Sequence, residues 1–142
     1  MIDVLLATYN GEKYLKEQIE SLLTQDRQDF RILARDDGSS DATPKILAEY
    51  AKKYPQKFLV IEDGEPTGSA KENFFCLLKH SDADYIMFCD QDDIWLKDKI
   101  SLTLLTLQGA QKDLGVGPML LHSDLTVVDD QGSTLHPSLF AL

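Results

Sequence analysis

Three carboxylates stand within four positions directly after an apolar segment that has the pattern of a buried strand. Asp90, Gln91, Asp92 and Asp93 follow the apolar run at residues 85–89. Like charges at such close spacing repel one another, so the cluster is unfavourable unless a cation or hydrogen-bond donors neutralise it. Asp90 and Asp92 leave one strand at alternate positions, so their side chains point the same way. This pattern predicts a divalent metal site, and the metal would in turn hold an anionic ligand.

Two neighbouring residues have a simpler interpretation. Asp93 is predicted to cap the N-terminus of a helix that begins near Leu96, and Trp95 is predicted to anchor that helix in the core.

Two further polar clusters follow predicted strands. Residues 8–10, Thr-Tyr-Asn, end the first strand, and residues 36–39, Asp-Asp-Gly-Ser, end the second. Either cluster could be only a turn or a helix cap, since these residue types also favour tight turns. In an open parallel sheet, however, ligands bind beyond the carboxyl ends of the strands. One cleft at that edge is therefore expected to hold all three clusters.

The elements that position these clusters alternate along the chain. Strand patterns at residues 2–7, 30–34, 58–61 and 85–89 are separated by amphipathic helical patterns, and Pro44 lies in the first turn of the second helix. This order predicts an α/β fold with a mostly parallel sheet and helices on both faces. A helix at about residues 96–107, a turn at 115–118, a weaker strand at 119–128 and a loop at 135–140 complete the prediction.

Composition excludes several classes of protein. The net charge of −10, from 14 basic and 24 acidic residues, argues against a nucleic-acid partner. No apolar run approaches the roughly 18 residues of a transmembrane segment, and a cytoplasmic domain is expected. Cys89 and Cys76 are interpreted as free thiols, with burial expected inside the apolar run. His80, His122 and His136 lie far apart without partner ligands, which argues against zinc.

Three motifs taken in order resemble the family 2 glycosyltransferases of the GT-A fold, which is Rossmann-like. They are Ala7-Thr8-Tyr9-Asn10, Asp36-Asp37-Gly38-Ser39-Ser40-Asp41 and Asp90-Gln91-Asp92-Asp93-Ile94-Trp95. The last motif, with Phe88 and Cys89 before it, is similar to bacterial rhamnosyltransferase-like members that build surface polysaccharides from a deoxythymidine diphosphate donor.

The resemblance implies roles for individual residues. Nucleotide binding is implied for Ala7, Thr8, Tyr9, Asp37, Lys71, Asp90 and Gln91, and metal binding for Asp92 and Asp90 with Mn²⁺ or Mg²⁺ as the cofactor. A tyrosine ring can stack on a pyrimidine, and an aspartate can accept a hydrogen bond from the ring N–H of the base.

The implied reaction is transfer of a sugar, with inversion, from a nucleoside diphosphate sugar of the dTDP or UDP type to a saccharide or lipid-linked acceptor. In the family the catalytic base lies in a later segment, and Asp124, Asp129 and Asp130 are poorly placed for that role. No catalytic residue is assigned, and residues 1–142 are expected to be a single nucleotide-sugar-binding domain that is incomplete at its C-terminus. The full-length enzyme is expected to work in the cytoplasm, in peripheral contact with the inner membrane face.

Two alternatives compete with this interpretation. A phosphohydrolase of the haloacid dehalogenase type also ends a strand with Asp-x-Asp, although usually on an early strand. A non-catalytic nucleotide-binding module with the same sheet is the second alternative.

Overall fold

The computed structural model describes residues 1–115 and 117–141, in which strands and helices alternate from the first strand to the fourth helix. The elements are β1 Ile2–Thr8, α1 Leu15–Leu23, β2 Phe30–Asp36, α2 Thr43–Lys53, β3 Phe58–Val60, α3 Ala70–Lys79, β4 Tyr85–Cys89, α4 Lys99–Leu114, β5 Val127–Val128 and β6 Thr134–His136. The first four strands form one parallel sheet in the order β3-β2-β1-β4. The predicted α/β fold is confirmed.

Contacts divide the chain into two compact units, Met1–Ser101 and Leu102–Leu142. The first unit contains the parallel sheet. The second contains the antiparallel pair of β5 and β6, in which Val127 lies opposite His136.

Helices cover both faces of the parallel sheet. On one face, Leu77 of α3 packs against Leu5 of β1 and Leu33 of β2. Leu6 points to the opposite face because side chains alternate along a strand. Cys89 of the adjacent strand β4 lies opposite Leu6. The Cys89 thiol accepts a hydrogen bond from Gln18 of α1. α1 and α3 therefore lie on opposite sides of β1, which explains why every residue of β1 is buried.

Local signals explain where two of the helices begin. Pro44 lies in the first turn of α2, where its missing N–H costs no hydrogen bond. Ser69 caps α3, and its hydroxyl accepts a hydrogen bond from the backbone N–H of Glu72.

Three predictions about the later part of the chain are wrong. α4 begins at Lys99 and ends at Leu114, so Asp93 does not cap it. The predicted strand at 119–128 is limited to Val127–Val128, because only those two residues find a partner strand. That partner is β6, which includes residues 135 and 136 of the predicted loop. Val116 of the predicted turn lies outside the described residues.

No helix in the described part of the chain is both long and apolar enough to cross a membrane.

Candidate functional site

A cavity of about 440 Å³ opens at the carboxyl ends of β1, β2 and β4. Its walls come from the three predicted polar clusters, from the segment that leads into α3 and from the first turn of α3. The lining residues are Ala7, Thr8, Tyr9, Asp37, Gly38, Pro66, Gly68, Ser69, Ala70, Asn73, Asp90, Gln91 and Asp92. The structure therefore brings the three clusters together, as the parallel topology predicted.

The loops after β1 and β2 are hydrogen-bonded to each other. The N–H of Asn10 donates to Ser39 Oγ at 2.7 Å, and the N–H of Ser40 donates to Asn10 Oδ1 at 2.9 Å. Asn10 has a φ of 48°, a left-handed conformation that asparagine tolerates better than most residues. The turn interpretation of Asn10 is correct, and the turn fixes the first loop on the second.

The two aspartates at the end of β2 have different roles. Asp36 accepts hydrogen bonds from the N–H of Ser39 at 2.8 Å and from Thr8 Oγ1 at 3.1 Å. For Asp36 the turn interpretation is therefore correct. Asp37 lines the cavity instead.

The Asp37 carboxylate is surrounded by protein donors. It accepts from the N–H groups of Thr67 at 2.6 Å, Gly68 at 2.8 Å and Ser69 at 3.3 Å, and from Thr67 Oγ1 at 3.0 Å. Arg35 Nη1 adds a fifth donor at 3.1 Å. Burial alone would raise the pKa of Asp37, but these hydrogen bonds outweigh it and leave the pKa below its ordinary value. Asp37 thus holds the loop at residues 67–69, and a base N–H could bond to it only by displacing one of these donors.

Arg35 and Asn73 form a buried network beneath the cavity that the sequence analysis missed. Arg35 Nε donates to Asp63 Oδ1 at 2.6 Å, and Arg35 Nη1 donates to Asn73 Oδ1 at 3.0 Å. Burial would lower the pKa of Arg35, but hydrogen bonds to Asp63 and Asp37 leave it raised. The signal in the sequence was Arg35, the second arginine of β2, which stands between the apolar residues 32–34 and Asp36.

Gln91 joins the end of β4 to the end of β1. Its Nε2 donates to the carbonyl oxygen of Tyr9 at 3.0 Å, and its Oε1 accepts from the N–H of Tyr9 at 2.9 Å. The Gln91 side chain lies so close to Gly11 that a Cβ at residue 11 would overlap it. The Tyr9 side chain remains 58% exposed, which leaves its ring available for stacking.

Asp90 and Asp92 contrast with Asp37. Within residues 1–115 and 117–141, neither carboxylate forms a hydrogen bond or an ion pair. The pKa of Asp90 is raised by desolvation and then by the negative charges of Asp93 and Asp92. The pKa of Asp93 is raised by desolvation and by Asp92. A cation between these side chains would remove the repulsion.

The donor set at Asp90 and Asp92 fits a hard divalent cation. No group of three or more His, Cys, Asp or Glu side chains in the described ranges is arranged to hold a metal ion. Mg²⁺, however, is commonly bound by one or two carboxylates together with the phosphate oxygens of a substrate. The two carboxylates at the cavity wall therefore fit a cation site that phosphate oxygens of a ligand would complete.

Lys71 is not among the residues that line the cavity. Its side chain is 74% exposed, and its Nζ lies 3.5 Å from Glu72 Oε1. The role of Lys71 in nucleotide binding stays a prediction.

Trp95 and the cysteines agree with their predictions. Trp95 is buried in the core. Both cysteines are free, and Cys89 is the buried one, with desolvation raising the pKa of its thiol.

The parallel sheet, with helices on both faces and a cavity at its carboxyl end, is a fold of the GT-A type. The model of the family described as Glycosyl transferase family 2 matches residues 3–138. The chain therefore belongs to this family, and the resemblance seen in its three motifs is confirmed.

Individual relatives support the assignment. The chain is 43% identical over 98 residues to the dTDP-rhamnosyl transferase RfbG of Shigella flexneri. This match covers 67% of this chain and 34% of that protein. The crystal structure of S. aureus TarS 1-349 in complex with UDP matches with a TM-score of 0.69 and 27% identity, over 78% of this chain and 32% of that chain.

A mannosyltransferase from Pyrobaculum calidifontis, solved with GDP-Man and Mn²⁺, shares the fold. Its TM-score is 0.64 at 23% identity, over 72% of this chain and 31% of that chain. The chain thus spans about a third of the length of each of these three proteins.

Proposed function

We propose that this chain forms the donor-binding part of a metal-dependent, inverting glycosyltransferase. The proposed reaction moves a sugar from a nucleoside diphosphate sugar to an acceptor hydroxyl in the synthesis of a surface polysaccharide. The observation that carries the proposal is the charge of the cavity, whose only ionised wall groups are the carboxylates of Asp37, Asp90 and Asp92 among the described lining residues.

A nucleoside diphosphate cannot bind favourably beside these carboxylates without a positive charge. Of the described residues that line the cavity, none is lysine or arginine. Arg35, beneath the cavity, is already paired with Asp63 and Asp37. A diphosphate would therefore meet uncompensated negative charge at Asp90 and Asp92. Bound Mn²⁺ or Mg²⁺ would neutralise both the two carboxylates and the diphosphate.

The cavity residues divide the remaining work of binding. The exposed Tyr9 ring would stack on the base, and the loop held by Asp37 contributes Gly68 and Ser69 to the cavity wall. Asp90 and Asp92 would hold the cation, which when bound supplies Lewis-acid stabilisation to the departing diphosphate.

The donor is proposed to be of the dTDP or UDP type. Similarity to the dTDP-rhamnosyl transferase RfbG supports a dTDP-sugar, and similarity to TarS in complex with UDP supports a pyrimidine base more generally. The proposed acceptor is a saccharide or a lipid-linked saccharide, and the proposed location is the cytoplasm at the inner membrane face.

Family membership favours a transferase over a phosphohydrolase of the haloacid dehalogenase type. Asp90 also follows the fourth strand of the chain, whereas such hydrolases usually carry Asp-x-Asp on an early strand.

Calorimetric titration tests the proposal. dTDP and UDP are titrated into the protein with Mn²⁺ and again with excess chelator, and binding is expected only with the metal. No binding of either nucleotide at millimolar concentration with Mn²⁺ would contradict the proposal. Steady release of phosphate from a generic phosphate ester would support the hydrolase instead.

A further inference from the structure

The acidic loop, residues 90–94, is attached to the rest of the first unit at its beginning, middle and end. Cys89 precedes the loop and Trp95 follows it, and both are held by buried polar side chains of α1. Gln91, inside the loop, is held by the backbone of Tyr9. Between these attachments, the carboxylates of Asp90 and Asp92 have no protein partner in the described chain.

The attachments at the two ends belong to one network on α1. Gln18 donates from its amide to the Cys89 thiol, and Ser21 Oγ accepts from the N–H of Trp95 at 3.1 Å. Ser21 Oγ also lies 3.2 Å from Gln18 Oε1, which joins the two side chains. Gln18 is fully buried on the inner face of α1. Burial of a glutamine side chain costs free energy unless its amide group is hydrogen-bonded.

Gln25 extends this network one turn further along the chain. Its Nε2 donates to the carbonyl oxygen of Leu96 at 2.8 Å, and its Oε1 accepts from the N–H of Ile100 at 3.1 Å. Gln25 lies beyond the end of α1, so the backbone that leaves the acidic loop is fixed both to α1 and to the segment that follows it.

We propose that Gln18, Ser21 and Gln91 are positioning residues that hold Asp90 and Asp92 in place for a divalent cation. Mutually repelling carboxylates on an unsupported loop move apart, and a cation must then bring them together again at a cost in affinity. Partners that orient metal ligands typically change metal affinity by about 10- to 100-fold when they are lost. This inference rests on the proposed function, because it assigns supporting residues to the same metal site.

Two substitutions separate positioning from general stability. Gln91→Met keeps the length of the side chain but removes both hydrogen bonds to Tyr9, and Ser21→Ala removes the acceptor for Trp95. Mn²⁺ affinity in the presence of dTDP is measured from the paramagnetic resonance signal of free Mn²⁺, at a temperature where every variant is folded. We expect each variant to bind Mn²⁺ about tenfold more weakly or worse than the unmodified chain.

Matched controls use the same residue types away from the acidic loop. Ser101→Ala removes a hydroxyl that donates to Asp26 Oδ2, and Gln28→Met removes an exposed amide. Both should keep the affinity of the unmodified chain, and Ser21→Thr, which retains the hydroxyl, should restore most of what Ser21→Ala loses.

The possible outcomes separate the two proposals. Unchanged Mn²⁺ affinity in Gln91→Met and Ser21→Ala, with only their unfolding temperatures lowered, would show that these residues are structural and would overturn this inference alone. Failure of the unmodified chain to bind Mn²⁺ with dTDP would overturn both the proposed function and this inference.

Discussion

The aspartates at the ends of β2 and β4 line the same cavity but are neutralised in different ways. Asp37 accepts five hydrogen bonds from the protein, including one from the buried guanidinium of Arg35. The carboxylates of Asp90 and Asp92 receive none from the described residues. The pKa of Asp37 is accordingly lowered and that of Asp90 is raised.

This difference shows that the role of a cavity carboxylate depends on its donors rather than on its residue type. A carboxylate with every lone pair occupied contributes to the structure of the site. One that is desolvated and next to like charges is unfavourable by itself, and a cation or a ligand-bound cation removes that cost. Substitutions in the two regions should therefore change different measured quantities.

The largest effect is expected from Asp92→Asn. Loss of a metal ligand should weaken metal-dependent dTDP binding by more than about 100-fold, since loss of a mere supporting partner already costs 10- to 100-fold. The stability of the metal-free protein should stay equal or rise slightly, because one of the repelling charges is gone. Calorimetry and thermal unfolding measure the two quantities, and Asp98→Asn, an exposed aspartate outside the cavity, is the control. Unchanged binding in Asp92→Asn would refute the metal assignment.

Asp37→Asn should mainly change the stability of the protein. The substitution leaves the buried Arg35 charge with one carboxylate fewer and should lower the free energy of unfolding by about 3 kcal/mol, as measured by urea denaturation. Asp29→Asn removes one partner of the exposed pair with Arg27 and should change the free energy little. Equal losses for the two variants would mean that the five hydrogen bonds to Asp37 do not stabilise the fold.

Gly11→Ala should disturb the hydrogen bonds by which Gln91 joins the end of β4 to the end of β1. The added Cβ overlaps the end of the Gln91 side chain, so Gln91 must move and weaken its hydrogen bonds to Tyr9, at a cost of about 1 kcal/mol. Mn²⁺ and dTDP binding should weaken together. Gly109→Ala, whose new Cβ meets nothing within 4 Å, is the matched control and should slightly stabilise α4. Normal binding in Gly11→Ala would show that Gln91 tolerates displacement.

The smallest effect is expected from acidification of the metal-free protein. Because the folded-state pKa of Asp37 is lowered, its stabilising contribution is present above the unfolded value of about 4 and is lost as the pH falls through the lowered pKa. Because the pKa of Asp90 is raised, its carboxylate destabilises the folded state above that range, and protonation removes this cost.

Urea denaturation between about pH 6 and pH 3 measures these opposed contributions. Compared with the unmodified chain, Asp37→Asn should lose less stability on acidification and Asp90→Asn should lose more. The same slope for both variants would contradict the contrast between the two regions.

The prediction from sequence succeeded where a short segment carries its own signal. The four strands of the parallel sheet, the first three helices and the burial of Trp95 and Cys89 were all predicted. It failed for β5 and β6, where pairing between residues several positions apart decides which of them form strands. It also failed at Asp93, because α4 begins six residues later at Lys99.

The candidate site was predicted in outline only. The three polar clusters do line one cavity, yet Pro66, Asn73 and the Arg35 network were not identified. These residues reach the site because α3 and the segment before it contact the end of β2, which is distant from them in sequence. Lys71, identified from its place in a motif, lies outside the cavity wall.

The amino-acid sequence by itself determined the alternation of strands and helices, and with it the edge of the sheet at which the acidic residues gather. Hydrophobic periodicity and turn residues are local properties, and parallel topology then brings the strand ends together. Only the tertiary structure decided which of those acids are satisfied by the protein and which remain open. That distinction depends on donors such as Arg35 and the backbone of residues 67–69, which folding delivers from other parts of the chain.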